Sequence, residues 1–121
     1  MTTRPPETLD FEVLRRAIEG RDADTLLGFY AEDAEVHTVN LNTTPSSPQV
    51  LRGKEQISAY LRDVYSREMT HRVENEVFGE SRIAFQEACE YPDGVRVLGA
   101  ETLEVRDGKI VRQVNVEAWD E

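Results

Sequence analysis

Cysteine is almost absent: Cys89 is the only one. A disulfide framework needs at least a pair, and a cysteine-based zinc site needs spacings that one residue cannot supply. Histidine is nearly as scarce. His37 and His71 lie far apart in the chain, none of the specific metal-ligand spacings is present, and no metal is expected. Positive charge is short as well. Fourteen Lys and Arg stand against 24 Asp and Glu, a net charge of −10. That excludes the basic footprint that nucleic-acid or anionic-membrane binding requires. No apolar run approaches a signal-peptide core or a membrane span, so a cytoplasmic protein is expected. Internal repeats and low-complexity tracts are lacking too, and 121 residues make a single domain. A chain of this size buries roughly two-thirds of its unfolded surface, enough for a real core.

What is present changes period along the chain. "MTTRPP" reads as a loose end, leaving residues 1–7 as a flexible N-terminus and 8–121 as the domain. Thr8 is a candidate cap for a helix running to about Gly20, with Val13, Leu14, Ala17 and Ile18 as its apolar stripe. Asp22 opens a short second helix. "AEVHTV", 34–39, alternates as a strand does. "NLNTTPSSPQV", 40–50, is a loop by composition, long enough to be a lid or binding loop. A third helix runs from Lys54 to about Tyr65, with Ile57, Tyr60, Leu61 and Val64 on one face. After Arg67 the period becomes two. Strands are expected at about 69–78, 82–91, 95–106 and 109–118, joined by "FGES", "YPDG" and "RDG". Helices segregated against an antiparallel sheet make an α+β domain. A strongly curved sheet closed by helices leaves a conical cavity, the usual place for small apolar ligands.

One residue breaks the pattern. Val95, Val97, Gly99, Glu101, Leu103 and Val105 share a strand face, and only Glu101 is charged. Buried among apolar neighbours, a carboxyl is pushed toward its neutral form and can then donate a hydrogen bond or a proton. The competing reading is an ion pair with Arg112 or another basic residue, or a carboxylate that reaches solvent at the cone mouth. The register of the last hairpin decides between partners. A two-residue turn at Asp107 and Gly108 sets Glu101 opposite Val114. A three-residue turn with Gly108 in a bulge sets it opposite Gln113 and puts Asn115, Glu117 and Trp119 on its face. The bulged form is favoured because it gathers the polar residues and Trp119 on one side. It leaves Leu98, Ala100, Val114, Val116 and Ala118 as an apolar outer patch. Glu87 is a second acid on an apolar face, among Ile83, Phe85, Cys89 and Tyr91. His71 alternates with Val73, Asn75 and Val77. His37 falls with Glu35 and Val39, opposite in parity to Val36 and Thr38, which turns it outward on strict alternation. Tyr30, Tyr60 and Trp119 have a ring and a polar tip each, suited to a ligand or to plain core. Cys89 shows no evident His partner and reads as a small core residue.

"AIEGRDADTLLGFYAEDAEV", "LRGKEQISAYL" and "LEVRDGKIVRQVNVEAW" come in an order and spacing that resembles the nuclear transport factor 2-like superfamily. Within it the chain looks like the SnoaL-like polyketide cyclases and ketosteroid isomerases, over about residues 8–119. The resemblance implies a cone-shaped, curved antiparallel sheet wrapped around N-terminal helices. It implies a homodimer through the outer sheet face. It also implies cofactor-independent acid–base chemistry (isomerisation, cyclisation, hydration or dehydration) on an apolar oxygenated molecule, or a binding or adaptor module of the same fold. Carried over position by position, the isomerase tyrosine falls on Leu14, the base on Thr38 and the oxyanion donor on Glu101. The cyclase histidine falls roughly on His37 and its last-strand acid on Asn115, with Glu117 two residues later. The resemblance therefore implies Glu101, His37 and Asn115 as catalytic candidates. Tyr30, Thr38, Tyr60, His71, Glu87, Glu117 and Trp119 are candidates for substrate contact.

Overall fold

The computed structural model describes residues 9–120. The expected start of the first helix at Thr8, and the loose end before it, lie outside them. Within the described residues Asp10 caps α1 (Phe11–Glu19), its carboxylate accepting from the Val13 amide. Phe11, Leu14, Ala17 and Ile18 turn inward, the spacing of a buried helical stripe. Asp22 caps α2 (Ala23–Leu27) in the same way, accepting from the Thr25 amide. Then follow β1 (Tyr30–Val39), β2 (Gln49–Arg52), α3 (Gly53–Ser66), β3 (Thr70–Phe78), β4 (Arg82–Glu90), β5 (Arg96–Arg106) and β6 (Lys109–Trp119). No helix among the described residues is long and apolar enough to cross a membrane.

The six strands form one curved, open sheet in the order β2-β1-β6-β5-β4-β3, with the helices in its concavity. Two expectations need correction. The 40–50 stretch is not loop throughout: its end, Gln49–Arg52, adds an edge strand antiparallel to β1. Val50 and Leu51 carry it, two β-favouring residues beyond the last proline. The sheet is also not wholly antiparallel, because β1 runs parallel to β6. The chain returns to β1 only after the whole meander, so no hairpin constrains that pair.

Bulges curve the sheet. The ladder slips between Tyr30 and Glu35 in β1 and between Glu74 and Val77 in β3. It slips again in the last hairpin between Glu104 and Val105. That third slip overturns both expected registers. Asp107 and Gly108, with φ of 53° and 76°, make a two-residue turn closed by Arg106 and Lys109. Then Val105 pairs with Ile110 while Glu104 pairs with Arg112, which leaves Val111 extra. Glu101 therefore lies opposite Asn115, not Val114 or Gln113. The bulge restores the parity that the short turn had changed. Gln113, Asn115, Glu117 and Trp119 consequently do share the Glu101 face. Leu14, Ala34, Val36, Ile57, Ile83, Leu103 and Ile110 form the heart of the core between helices and sheet.

Candidate functional site

The sheet and helices enclose a cavity of about 300 Å³. Its depth is apolar: Leu14, Ile18, Leu26, Phe85, Leu103 and Ile110. Its mouth carries Asn42, Gln49 and Asp63, all exposed, with Arg67, Tyr91 and Trp119 beside them. Between depth and mouth lies a polar belt. The buried polar or charged side chains among the described residues are Thr38, His71, Glu87, Gln113 and Asn115, and every one lines this cavity. Polar groups buried at a cavity wall cost folding free energy unless hydrogen-bonded, so their pairing matters.

Two networks satisfy them. The first joins β1 to β6. The Tyr30 hydroxyl donates to Gln113 Oε1. Gln113 Nε2 donates to Asn115 Oδ1 at 2.8 Å and to Glu101 Oε1 at 3.2 Å. Asn115 Nδ2 donates to Thr38 Oγ1 at 3.4 Å. The second joins α3, β3 and β4 at Glu87. Its Oε2 lies 2.7 Å from His71 Nδ1 and accepts from the Tyr65 hydroxyl at 3.1 Å. The Tyr65 and His71 rings pack with centroids 4.7 Å apart. His71 Nε2 is buried without a partner. A proton on Nδ1 and a bare lone pair on Nε2 is the tautomer this arrangement favours, since orphaned buried N–H groups are the rarer defect.

The networks meet at two carboxyl groups with opposite tendencies. Burial is the largest influence on Glu101 and raises its pKa well above the ordinary carboxylate range. The nearby negative charge of Glu87, a hydrogen bond shared with it, and Glu117 push the same way. Burial also opposes ionisation of Glu87. There it is outweighed by hydrogen bonds from Glu101 and His71, by the His71 interaction and by Tyr65, so the Glu87 pKa is lowered. These opposite tendencies favour Glu101 as the group that keeps a proton and Glu87 as the group that ionises, one acid and one base side by side. The phenols of Tyr30 and Tyr65 are pushed up, first by burial and then by these acids, so both act as hydrogen-bond donors.

Most of the candidate residues come together here. Glu101, Asn115, Tyr30, Thr38, Tyr60, His71, Glu87, Glu117 and Trp119 all line the cavity. His37 does not. It points away from the wall and hydrogen-bonds Glu35 Oε1 at 2.9 Å, as its parity in β1 requires. Arg112 does not pair with Glu101 either, because it lies across from Glu104. Cys89 has a histidine partner after all: it is the cross-strand partner of His71, and its Sγ lies 3.3 Å from His71 Nδ1. Burial, followed by the Glu87 and Glu101 charges, pushes the Cys89 thiol up, so it is no nucleophile. Donor atoms of His71, Glu87 and Cys89 lie within 4.8 Å of one another, a spacing that a metal ion can bridge. A metal on Nδ1 would place a proton on Nε2, which has no acceptor, whereas metal-bound histidines almost always have one. The trio is better explained as a hydrogen-bonded cluster.

Two contributors escape sequence reading. Tyr65 continues the Ile57 and Leu61 stripe by one more turn of α3. Arg67 reaches Tyr91 and Asp63 at the mouth through contacts that no local pattern encodes.

A curved open sheet closed by helices over a cavity is the nuclear transport factor 2-like fold. The family model described as SnoaL-like domain matches residues 11–113, and the chain belongs to that family. Solved structures agree on the fold. A nuclear transport factor 2-like protein of unknown function from Mesorhizobium loti superposes with a TM-score of 0.74 at 20% identity, covering 98% of this chain and 99% of that one. A Kribbella flavida protein provisionally described as a ketosteroid isomerase gives 0.72 at 19% identity, covering 92% and 75%. An epoxide hydrolase from M. tuberculosis gives 0.65 at 18%, covering 91% and 79%. No curated protein matches the sequence.

Proposed function

We propose that this protein is a cofactor-independent acid–base catalyst that isomerises, cyclises, hydrates or dehydrates an apolar oxygenated compound. The observation that carries the reading is the Glu101–Glu87 pair at the wall of an otherwise apolar cavity. Protonated Glu101 donates to a carbonyl, hydroxyl or epoxide oxygen and stabilises the negative charge that builds there. Glu87, held by His71 and Tyr65, is the adjacent base that takes up the released proton. The apolar depth receives the carbon skeleton, and Asn115, Thr38, Tyr30, Tyr60 and Trp119 contact it. Thr38 and Leu14 stand where a steroid isomerase has its base and tyrosine, so the proton path differs from that enzyme's. Isomerase-like and epoxide-hydrolase structural neighbours support the class of chemistry.

The test is incubation in D2O with a panel of lipophilic cyclic ketones, enones and epoxides, read by mass spectrometry for deuterium uptake or conversion. Wild-type protein should process some members. Glu101→Gln should lose turnover by roughly 10²–10⁴-fold, with calorimetric affinity within about threefold of wild type. Panel members that bind wild type but neither exchange nor convert would make the protein a binding module.

The same reading includes a homodimer through the outer sheet face, where Leu98 and Val116 are 45% and 51% exposed. Light scattering should give twice the 13.8 kDa chain mass for wild type and the chain mass for Val116→Lys. A monomeric wild type at micromolar concentration overturns it.

A further inference from the structure

Four polar side chains lie in one row across the cavity wall. The strand registers set Gln49 beside Thr38, Thr38 beside Asn115 and Asn115 beside Glu101, on β2, β1, β6 and β5. All four line the cavity. Thr38 and Asn115 are only 2% and 3% exposed, so each of their donors needs a partner inside the protein or inside the cavity.

The hydrogen bonds along this row have a direction. Glu101 Oε2 lies on the Gly99 side, 3.6 Å from where a Cβ of that residue would stand, and Gly99 is the cross-strand neighbour of Glu87. The hydrogen bond that Glu101 shares with Glu87 therefore runs through Oε2, which leaves Oε1 to accept from Gln113 Nε2 at 3.2 Å. The Tyr30 hydroxyl donates to Gln113 Oε1 and fixes the same amide from its other end. Gln113 then donates to Asn115 Oδ1, and Asn115 must turn its own nitrogen toward Thr38. Each amide passes on a donor, so the chain ends on donors. Asn115 Nδ2 has two protons and places one of them on Thr38 Oγ1, at a long 3.4 Å. The Thr38 hydroxyl accepts that bond, and its own proton meets no acceptor among the described residues. A carbonyl oxygen has two lone pairs, one for each of these two donors.

Resting on the acid–base reading above, in which Glu101 meets one oxygen of the compound, we infer that the Thr38 hydroxyl and the free Asn115 Nδ2 proton are the donors for a second, carbonyl oxygen, and that the compound is a compact ring system with two separate oxygen functions. Neighbouring strands lie about 4.8 Å apart. An oxygen seated between Thr38 and Asn115 is one and a half spacings from Glu101, roughly 7 Å. That is too far for the two oxygens of one carboxyl or ester group, and it suits carbonyls on the two rings of a fused bicycle. A cavity of about 300 Å³ is at the small end for ligand sites, which matches a compound of that size.

The test uses the full chain and three probes of one shape. They are an angular-methyl octalin enedione, with one carbonyl on each ring, and its two analogues in which either carbonyl is replaced by an exocyclic methylene. Ligand-observed NMR titration should find the dione bound at least about tenfold more tightly than either analogue. Thr38→Val removes the hydroxyl and keeps the side chain's shape. In that variant one of the two gaps should shrink to about threefold or less, and the other should remain. Thr38→Ser restores the hydroxyl and should reopen the gap. No saturable binding of the dione, an analogue within about threefold of it on wild type, or both gaps unchanged in Thr38→Val overturns the inference. Should Thr38→Val not fold by circular dichroism, Thr38→Ala takes its place in the same comparison. Binding needs no turnover, so the two readings fail separately. Preference for the dione without deuterium uptake or conversion of any panel compound sinks the acid–base reading. Conversion of ketones with a single oxygen, by a protein that shows no preference for the dione, sinks this one.

Discussion

Thermal stability of the wild-type protein should fall as pH rises above about 5, and the fall should largely disappear in Glu101→Gln. The sign follows from where the protons sit. Folding raises the Glu101 pKa. Above the ordinary carboxylate pKa of about 4.3 the unfolded chain has released its proton while the folded chain still holds one. Stability then declines with pH by up to about 1.4 kcal/mol per unit until the folded group also ionises. For a domain of this size that is roughly 3–6 °C per unit. Glu87 acts in the other direction and in another window. Its lowered pKa adds stability that is present above the ordinary carboxylate value and is lost as pH falls toward its folded value. The two contributions together are greatest at about the ordinary carboxylate pKa of 4.3. Scanning calorimetry on both proteins from pH 4 to 8 measures it. Parallel curves for wild type and Glu101→Gln would mean that Glu101 is already ionised at neutral pH, and the acid role would go with it.

The oddity of Glu101 was legible because a strand has an exact period of two, and one charge on an apolar face stands out whatever the fold. The helices and the meander were legible for the same reason: period 3.6 or period 2 holds over each of them. Partners were not legible, since each depends on a register that local pattern does not carry. An extra residue at Val111 decides that Glu101 meets Asn115. It cannot be read from "KIVRQV", where every alternation looks equally good. The β3–β4 register brings His71 to Cys89 and within reach of Glu87, and it depends on a bulge near Asn75, held at φ 58°. The outward turn of His37 followed from parity, against its place in the family resemblance, and the structure agrees with parity. Strand β2 went unread because four residues beside a proline-rich loop are too few to show a period. Its partner β1 provides the hydrogen bonds that make it a strand.

The largest stability effect should come from breaking the Glu87 cluster on one side only. Glu87 and His71 are 6% and 4% exposed, and the Tyr65 hydroxyl points at the same carboxylate. Glu87→Leu removes the acceptor but leaves the His71 Nδ1 and Tyr65 donors buried beside an apolar chain. The cost should be about 3–5 kcal/mol in urea unfolding. Replacing both members, His71→Leu with Glu87→Leu, removes the stranded imidazole too. The double variant should recover to within about 1.5 kcal/mol of wild type, because a buried pair exchanged for apolar groups of similar volume is often neutral. A double variant that loses the sum of what Glu87→Leu and His71→Leu lose singly would show that the two side chains are not coupled, contrary to their 2.7 Å contact. The double variant should also lack turnover on any compound that wild type converts, because Glu101 has lost its base. With Glu87 gone, a like charge and a hydrogen-bond acceptor both leave the neighbourhood of Glu101, so its pKa should move back toward the ordinary carboxylate range. A double variant that keeps its fold but loses turnover would assign the cluster to the proton on Glu101 rather than to stability.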